Sequence, residues 1–368
     1  WIFFLVYKKP SGVWIMAYTE IDDPSAYFQT TLYTGNGGTN AITNTGNSDL
    51  QPDWLWIKRR DGADNHTIFD SVRGVTKGLY SDLNNAEDNL ADSLTSFNSD
   101  GFTLGADTGS TTVNQNTETQ VAWQWKAGTA FTNDASSTSV GSIDSAGSFN
   151  NDAGFSIVSF TGTGSNGTIK HGLSTAPKML IIKRRDPSQS WSVYHTSLGT
   201  NKRLYLDLTD AVETTTTAWN NTAPTSSVFS VGTSNATNGN GENMIAYCFA
   251  EKPGYSKFGT YTANNSSNGT YIHLGFKPAF FICKKSSGAE SWYINDNKRS
   301  AFNPTKAELY ADNAQVEDTG NARLDLLSNG VKMRTDNGGY NTGSETYIYM
   351  AFAEQPFVTS TGVPATAR

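Results

Sequence analysis

One strand-like stretch is written three times in this chain, and that recurrence constrains the fold more than any other feature. It reads Pro52-Asp-Trp-Leu-Trp-Ile-Lys-Arg-Arg60, then Pro177-Lys-Met-Leu-Ile-Ile-Lys-Arg-Arg185, then Pro278-Ala-Phe-Phe-Ile-Cys-Lys-Lys285. A proline opens each copy, a run dominated by apolar residues follows after one residue, and cations close it. Copies inside one chain set a register without reference to any other protein. Pro52 and Pro177 lie 125 residues apart, and so do Lys58 and Lys183, Asp70 and His195, and Leu79 and Leu204. Pro177 and Pro278 lie 101 apart, as do Trp191 and Trp292, while Phe249 meets Phe352 at 103. Offsets that hold along several strands and then drift slightly describe a shared framework with small loop changes.

The register predicts three repeats, at residues 27–126, 154–253 and 254–357. Each shows short alternating runs between Gly/Asn/Ser turns and little helical periodicity. The expected fold class is therefore all-β: three tandem antiparallel β-sandwich domains, either jelly-roll or immunoglobulin-like. The one helical pattern is residues 82–93. Residues 1–26 read as the end of a preceding domain or a connector, with a strand over residues 3–7. A chain that starts at Trp1 also reads as a segment of a longer polypeptide. Residues 127–153 read as a Ser/Asn/Gly-rich linker with a short strand near Val140, leaving repeat one able to dock away from a row. Residues 358–368 read as a polar tail.

Composition narrows the function classes. Apolar residues are 37% and charged residues only 17% of the 368, with Ser, Thr, Asn and Gly filling the difference. Aromatic residues at 12% argue against disorder. A net charge of −7 argues against nucleic acid and anionic membranes as partners. The apolar run at Trp1–Tyr7 ends at Lys8, too short to insert in a membrane. The charge is uneven: repeat one carries 6 basic and 12 acidic residues, repeat two 8 and 6, repeat three 10 and 10. Such divergence on a common framework points to different neighbours for each copy.

No catalytic, cofactor or metal constellation stands out. Cys248 and Cys283 sit in apolar runs and read as buried free thiols. His195 replaces Asp70 and Asp296 of the other copies, which suits a surface or edge-strand histidine better than a catalytic one. His66, His171 and His273 show no metal-ligand spacing. Asp70 and Arg73, repeated as Asp296 and Arg299, suggest a local ion pair at a strand end. Asp61, Asp64, Glu87, Asp88 and Asp92 are numerous, but no spacing singles out a hydrolytic pair. Asp61-Gly-Ala-Asp-Asn-His66 does not match a calcium loop, although a loop calcium stays open. Trp54 and Trp56, and Trp123 and Trp125, alternate along strands, so each pair shares a face. Burial in a core is one reading of them, and a glycan-facing platform is the other.

Several strings together resemble a known module. They are Gly154-Phe-Ser-Ile-Val-Ser-Phe-Thr-Gly-Thr-Gly164, His171-Gly-Leu173, Ala176-Pro-Lys-Met-Leu-Ile-Ile-Lys-Arg-Arg185, Trp219-Asn-Asn-Thr-Ala-Pro-Thr-Ser-Ser-Val-Phe-Ser230 and Ile245-Ala-Tyr-Cys-Phe-Ala-Glu251. Phe69-Asp-Ser-Val-Arg-Gly74, Gly254-Tyr-Ser-Lys-Phe-Gly-Thr-Tyr-Thr262 and Tyr347-Ile-Tyr-Met-Ala-Phe-Ala-Glu-Gln-Pro-Phe357 continue the likeness. The wording is similar to a repeated β-rich module of marine bacteriophage virion proteins of the tail-fibre or appendage type. The resemblance covers residues 27–357 and implies a virion location and a structural or host-attachment role. Its implied partners are other virion proteins, the chain itself as a homotrimer, and a host surface glycan. It carries over no catalytic residue and implies no enzyme. A bacterial adhesin or carbohydrate-binding protein is the alternative expectation, and a glycan-degrading enzyme the third.

Overall fold

The computed structural model describes residues 19–109 and 112–366, with the backbone of two short paired strands, Val6–Lys8 and Trp14–Met16. Of the strand expected over 3–7, residues 3–5 lie outside the described residues. The described chain is all-β, and every sheet is antiparallel. Helix is confined to single turns at Pro24–Ala26, Ala135–Thr138 and Asn235–Asn238. The helix expected over 82–93 does not form. Its Asn and Asp side chains compete with the backbone for hydrogen bonds, and Asp88–Asn89 instead pairs with Lys77–Gly78.

One strand order recurs in all three repeats. In the first, Phe28–Thr34 pairs with Thr119–Trp125, then comes Trp54–Arg59, then Thr67–Asp70. In the second, Phe155–Thr161, Asn243–Phe249, Met179–Arg184, Ser192–His195 and Lys202–Tyr205 follow the same order. In the third it is Ser256–Thr262, Thr346–Pro356, Phe276–Lys285, Trp292–Asp296 and Leu309–Tyr310. Each large sheet has a small companion: Asn40–Ile42 with Gly101–Leu104 and Leu94–Asn98, Gly167–Lys170 with Val228–Val231, and Tyr271–His273 with Gly330–Met333 and Leu324–Leu327.

The thrice-written stretch is the third strand in that order, buried on both faces. That explains its unbroken apolar run, because strict alternation is needed only where one face is wet. Proline has no N–H for the ladder. Two copies begin pairing after it, while the third runs through Pro278 only by shifting register at Lys277, Pro278 and Phe280. Leu55 and Ile57 pack with Ile42, Phe102 and Leu104 of the small sheet. Leu180 and Ile182 do the same with Ile169, Phe229 and Val231.

Residues 127–153 depart from the expected linker. Thr129–Asn133 and Ser145–Asn150 form a hairpin whose second strand pairs with Phe155–Thr161, adding two strands to the second repeat's large sheet. Val140 lies outside both strands. Small side chains let this segment pair closely: a Cβ on Gly147 would lie 2.0 Å from the Ile157 carbonyl oxygen. Composition marked the stretch as polar and small, which describes an edge hairpin as well as a linker.

Candidate functional site

The outer faces of the three large sheets meet one another. Trp54, Trp56, Trp123 and Trp125 of repeat one, Phe155, Met179, Ile181, Tyr247 and Phe249 of repeat two, and Phe280 and Phe352 of repeat three share one buried cluster. The four tryptophans are each 0% exposed. Trp54 stacks on Tyr247 with centroids 4.8 Å apart, and Trp125 meets Phe280 and Phe352 edge-on at 5.6 Å. The glycan-facing reading of these tryptophans is therefore corrected. No sugar reaches them, because the neighbouring repeats cover the face they line.

Polar groups close the three seams by the same plan. In repeats two and three an indole at the start of the fourth strand reaches the preceding repeat. Trp191 Nε1 donates to the Tyr80 carbonyl and Trp292 Nε1 to the Tyr205 carbonyl, both at 2.8 Å. His66 holds the corresponding place in repeat one, against the main chain of Tyr310 and Asn313. Its Nδ1 accepts from Trp56 Nε1 at 2.8 Å, which puts the ring proton on Nε2. Backbone staples repeat as well: Glu87 N donates to Arg185 O (2.8 Å), Val212 N to Ser286 O (3.0 Å) and Glu317 N to Arg60 O (2.9 Å). Repeat one thus binds two, two binds three, and three binds one. Such heterologous contacts close into a ring because each repeat uses one surface to give and another to receive.

Charge is buried in this ring. Arg73 binds Asp70 at 2.5 Å and Glu87 at 3.1 Å, Arg185 joins Glu87 at 2.8 Å, and Tyr247 Oη donates to Asp70 Oδ2 at 2.7 Å. The seam between repeats three and one repeats this with Arg299, Asp296, Glu317 and Arg60, and there Trp123 Nε1 donates to Asp296. The expected ion pair is thus present in both copies, as part of a larger network across a seam. The middle copy replaces Asp, Arg, Glu and Arg with His195, Leu198, Val212 and Ser286. His195 is buried, not superficial as expected; its Nε2 lies 3.2 Å from the Tyr349 carbonyl, and burial pulls its pKa down to about 4. Losing one charge would strand the others, so all four positions change together.

The first cation of each closing run is a second repeated device. Lys58, Lys183 and Lys284 are all 0% exposed. Lys183 Nζ donates to Asn84 O across the first seam, Lys284 Nζ to Thr209 O across the second, and Lys58 Nζ to Gly62 O within its own loop. Burial lowers each ammonium to about 8. The unfolded chain keeps these protons to about pH 10.4, so it binds more protons than the folded chain between those values. Stability contributed by these groups should rise with pH from about 8 towards 10. Thermal melts across that window check this, and Lys183→Gln should reduce the rise by about a third if the three groups contribute alike. A slope unchanged by Lys183→Gln would remove the lysines as its source.

The remaining candidates are engaged in structure. Asp61 and Asp64 both bind Arg59, at 2.8 and 2.9 Å, and Asp92 accepts from Thr108. Among the described residues no group of three or more His, Cys, Asp or Glu is placed to hold a metal. Cys248 and Cys283 are free and buried, with burial pushing both thiols up to about 12. The Gly-rich turns are pinned by buried asparagines that sequence reasoning passed over. Asn114, Asn238 and Asn341 donate to Gly38, Ser165 and Ser266 carbonyls, respectively. Their common position shortly before the last strand of each repeat was the available signal. A cleft of about 290 Å³ lies where repeats one and three meet, lined by polar groups such as Asp23, Gln29, Lys298 and Glu354. No helix among the described residues is long and apolar enough to cross a membrane.

A family model described as a domain of unknown function, DUF7483, matches residues 23–356. The chain belongs to the DUF7483 family. The DUF7483 match runs through all three repeats as one unit, from the start of the first large sheet to the last strand of the third. A search of curated proteins gives no match.

Proposed function

We propose that this DUF7483 chain is a non-catalytic module of a bacteriophage virion, carried on a tail fibre or capsid surface, with a display or host-attachment role. In this reading each repeat is an antiparallel β-sandwich and the three act as one rigid head. The observation that carries it is where the charges are spent: Arg185, Arg60, Lys183 and Lys284 all satisfy partners across seams. That is the chemistry of a fixed shape. The resemblance of the repeated strings to virion modules supplies the location. Other virion proteins are the proposed structural partners and a host surface glycan the proposed receptor, with neither nucleic acid nor membrane insertion involved.

One chain already provides the three repeats that a homotrimer would assemble from three chains. Light scattering should give a monomer of 39.8 kDa for this chain, and a threefold mass would favour the homotrimer instead. Mass spectrometry of purified virions decides the central reading, which fails if they lack the protein. Recovery from a bacterial envelope would favour the adhesin alternative.

A further inference from the structure

Repeat three carries an exposed aromatic that its sister repeats lack. Tyr271 is 43% exposed on the small sheet Tyr271–His273, Gly330–Met333 and Leu324–Leu327. Its position follows from the ladder: Ile272 faces Val331 as Ile169 faces Phe229 and Ile42 faces Phe102. The matching residues are therefore Thr168 and Ala41. The Tyr271 ring leans across Gly330, where an added Cβ would lie 3.1 Å from both its Cε2 and its hydroxyl. The hydroxyl reaches the Asn329 carbonyl and His273 Nδ1, each at 3.4 Å, so the ring is held over the sheet. Repeat two has Val228 at the glycine position and could not seat such a ring.

The surroundings are cationic. Lys332 is the cross-strand partner of Tyr271, so both side chains share a face. Lys257 Nζ donates to the His273 carbonyl at 2.8 Å, and Lys332 Nζ donates to the Gly269 carbonyl. Neither ammonium has a carboxylate partner among the described residues. Asp325, the cross-strand neighbour of Lys332, is paired with Arg334 at 3.2 Å. An aromatic face flanked by two ammonium groups and an imidazole matches a pyranose ring that bears an acid group.

We propose that Tyr271, His273, Lys332 and Lys257 form a binding site for acidic glycans, with the sugar ring stacked on Tyr271 and its carboxylate facing the lysines. The inference rests on the attachment reading and names the receptor class for it. Titration of the whole chain with hexuronate oligosaccharides, against neutral glucan oligosaccharides, tests it by calorimetry. Binding of the hexuronates is expected, weaker by about tenfold or more in Tyr271→Ala and nearly retained in Tyr271→Phe. The double variant Lys257→Gln/Lys332→Gln should lose the preference for acidic over neutral chains, with its dependence on salt. All three positions are exposed or partly exposed, and unchanged melting temperatures confirm folding. Binding that is unaffected in Tyr271→Ala, equal for both sugars, or absent altogether overturns the site. Absence of hexuronate binding in a protein found in virions would sink this inference and leave the location standing.

Discussion

Arg73→Leu should destabilise the protein by about 3–5 kcal/mol, among the largest single effects available in this chain. The guanidinium is fully buried and satisfies Asp70, Glu87 and the carbonyls of Ile68 and Lys77. Removing it leaves the buried Asp70 carboxylate with no cation at the seam between repeats one and two, and leaves Glu87 to Arg185 alone. The protein contains its own control, because the seam between repeats two and three is built without any of these charges. Converting the first seam to that pattern takes Asp70→His, Arg73→Leu, Glu87→Val, Arg185→Ser and Tyr247→Met together. Tyr247 belongs in the set because its counterpart is Met350, as their partners Ile181 and Ile282 show. The five-residue variant should recover most of the loss, since removing a whole buried ion network together leaves no charge unpaired. Denaturant unfolding of the wild type, the single variant and the five-residue variant measures both. A five-residue variant no more stable than Arg73→Leu would show that the seams are not interchangeable, despite their shared backbone staples.

Trp54→Ala should cost about 3–5 kcal/mol, and its effect should not stay within repeat one. The indole touches Trp125 and Trp56 of its own repeat and Tyr247, Phe155 and Phe249 of the next. A cavity there loosens the junction that two repeats share. Trp54→Phe should cost much less than the alanine variant. The Trp54 Nε1 group is buried without a hydrogen-bond partner, so losing it removes a desolvation cost along with some packing. Because the repeats bury their faces in one common cluster, wild-type unfolding should be a single transition seen alike by tryptophan fluorescence and far-UV circular dichroism. Separate transitions for separate repeats would contradict a shared core.

Much of this architecture could be read directly from the chain. Three copies of the Pro52, Pro177 and Pro278 stretch established the strand register, and alternation identified the strands. The offsets even located the seam residues, since Asp70, His195 and Asp296 are one position and Lys58, Lys183 and Lys284 another. Their roles were not legible. Alternation says that Trp54 and Trp56 share a face, but not what covers it. A strand-end lysine in sequence is normally solvated, and these three are buried only because a neighbouring loop closes over them. His195 read as superficial for the same reason: its partner, the Tyr349 carbonyl, lies 154 residues away.

The sequence by itself determined local order: which residues pair along strands, where turns fall, and that three units share one plan. Those are short-range consequences of period-two patterning, proline and glycine. Only the tertiary structure decided that the units close on one another as a ring and that the 127–153 segment is a hairpin on a sheet edge. It also decided that the tryptophan platform lies inside the molecule while Tyr271 stands outside it. The physical reason is that burial of a sheet's second face depends on what packs against it, and that partner comes from a different repeat.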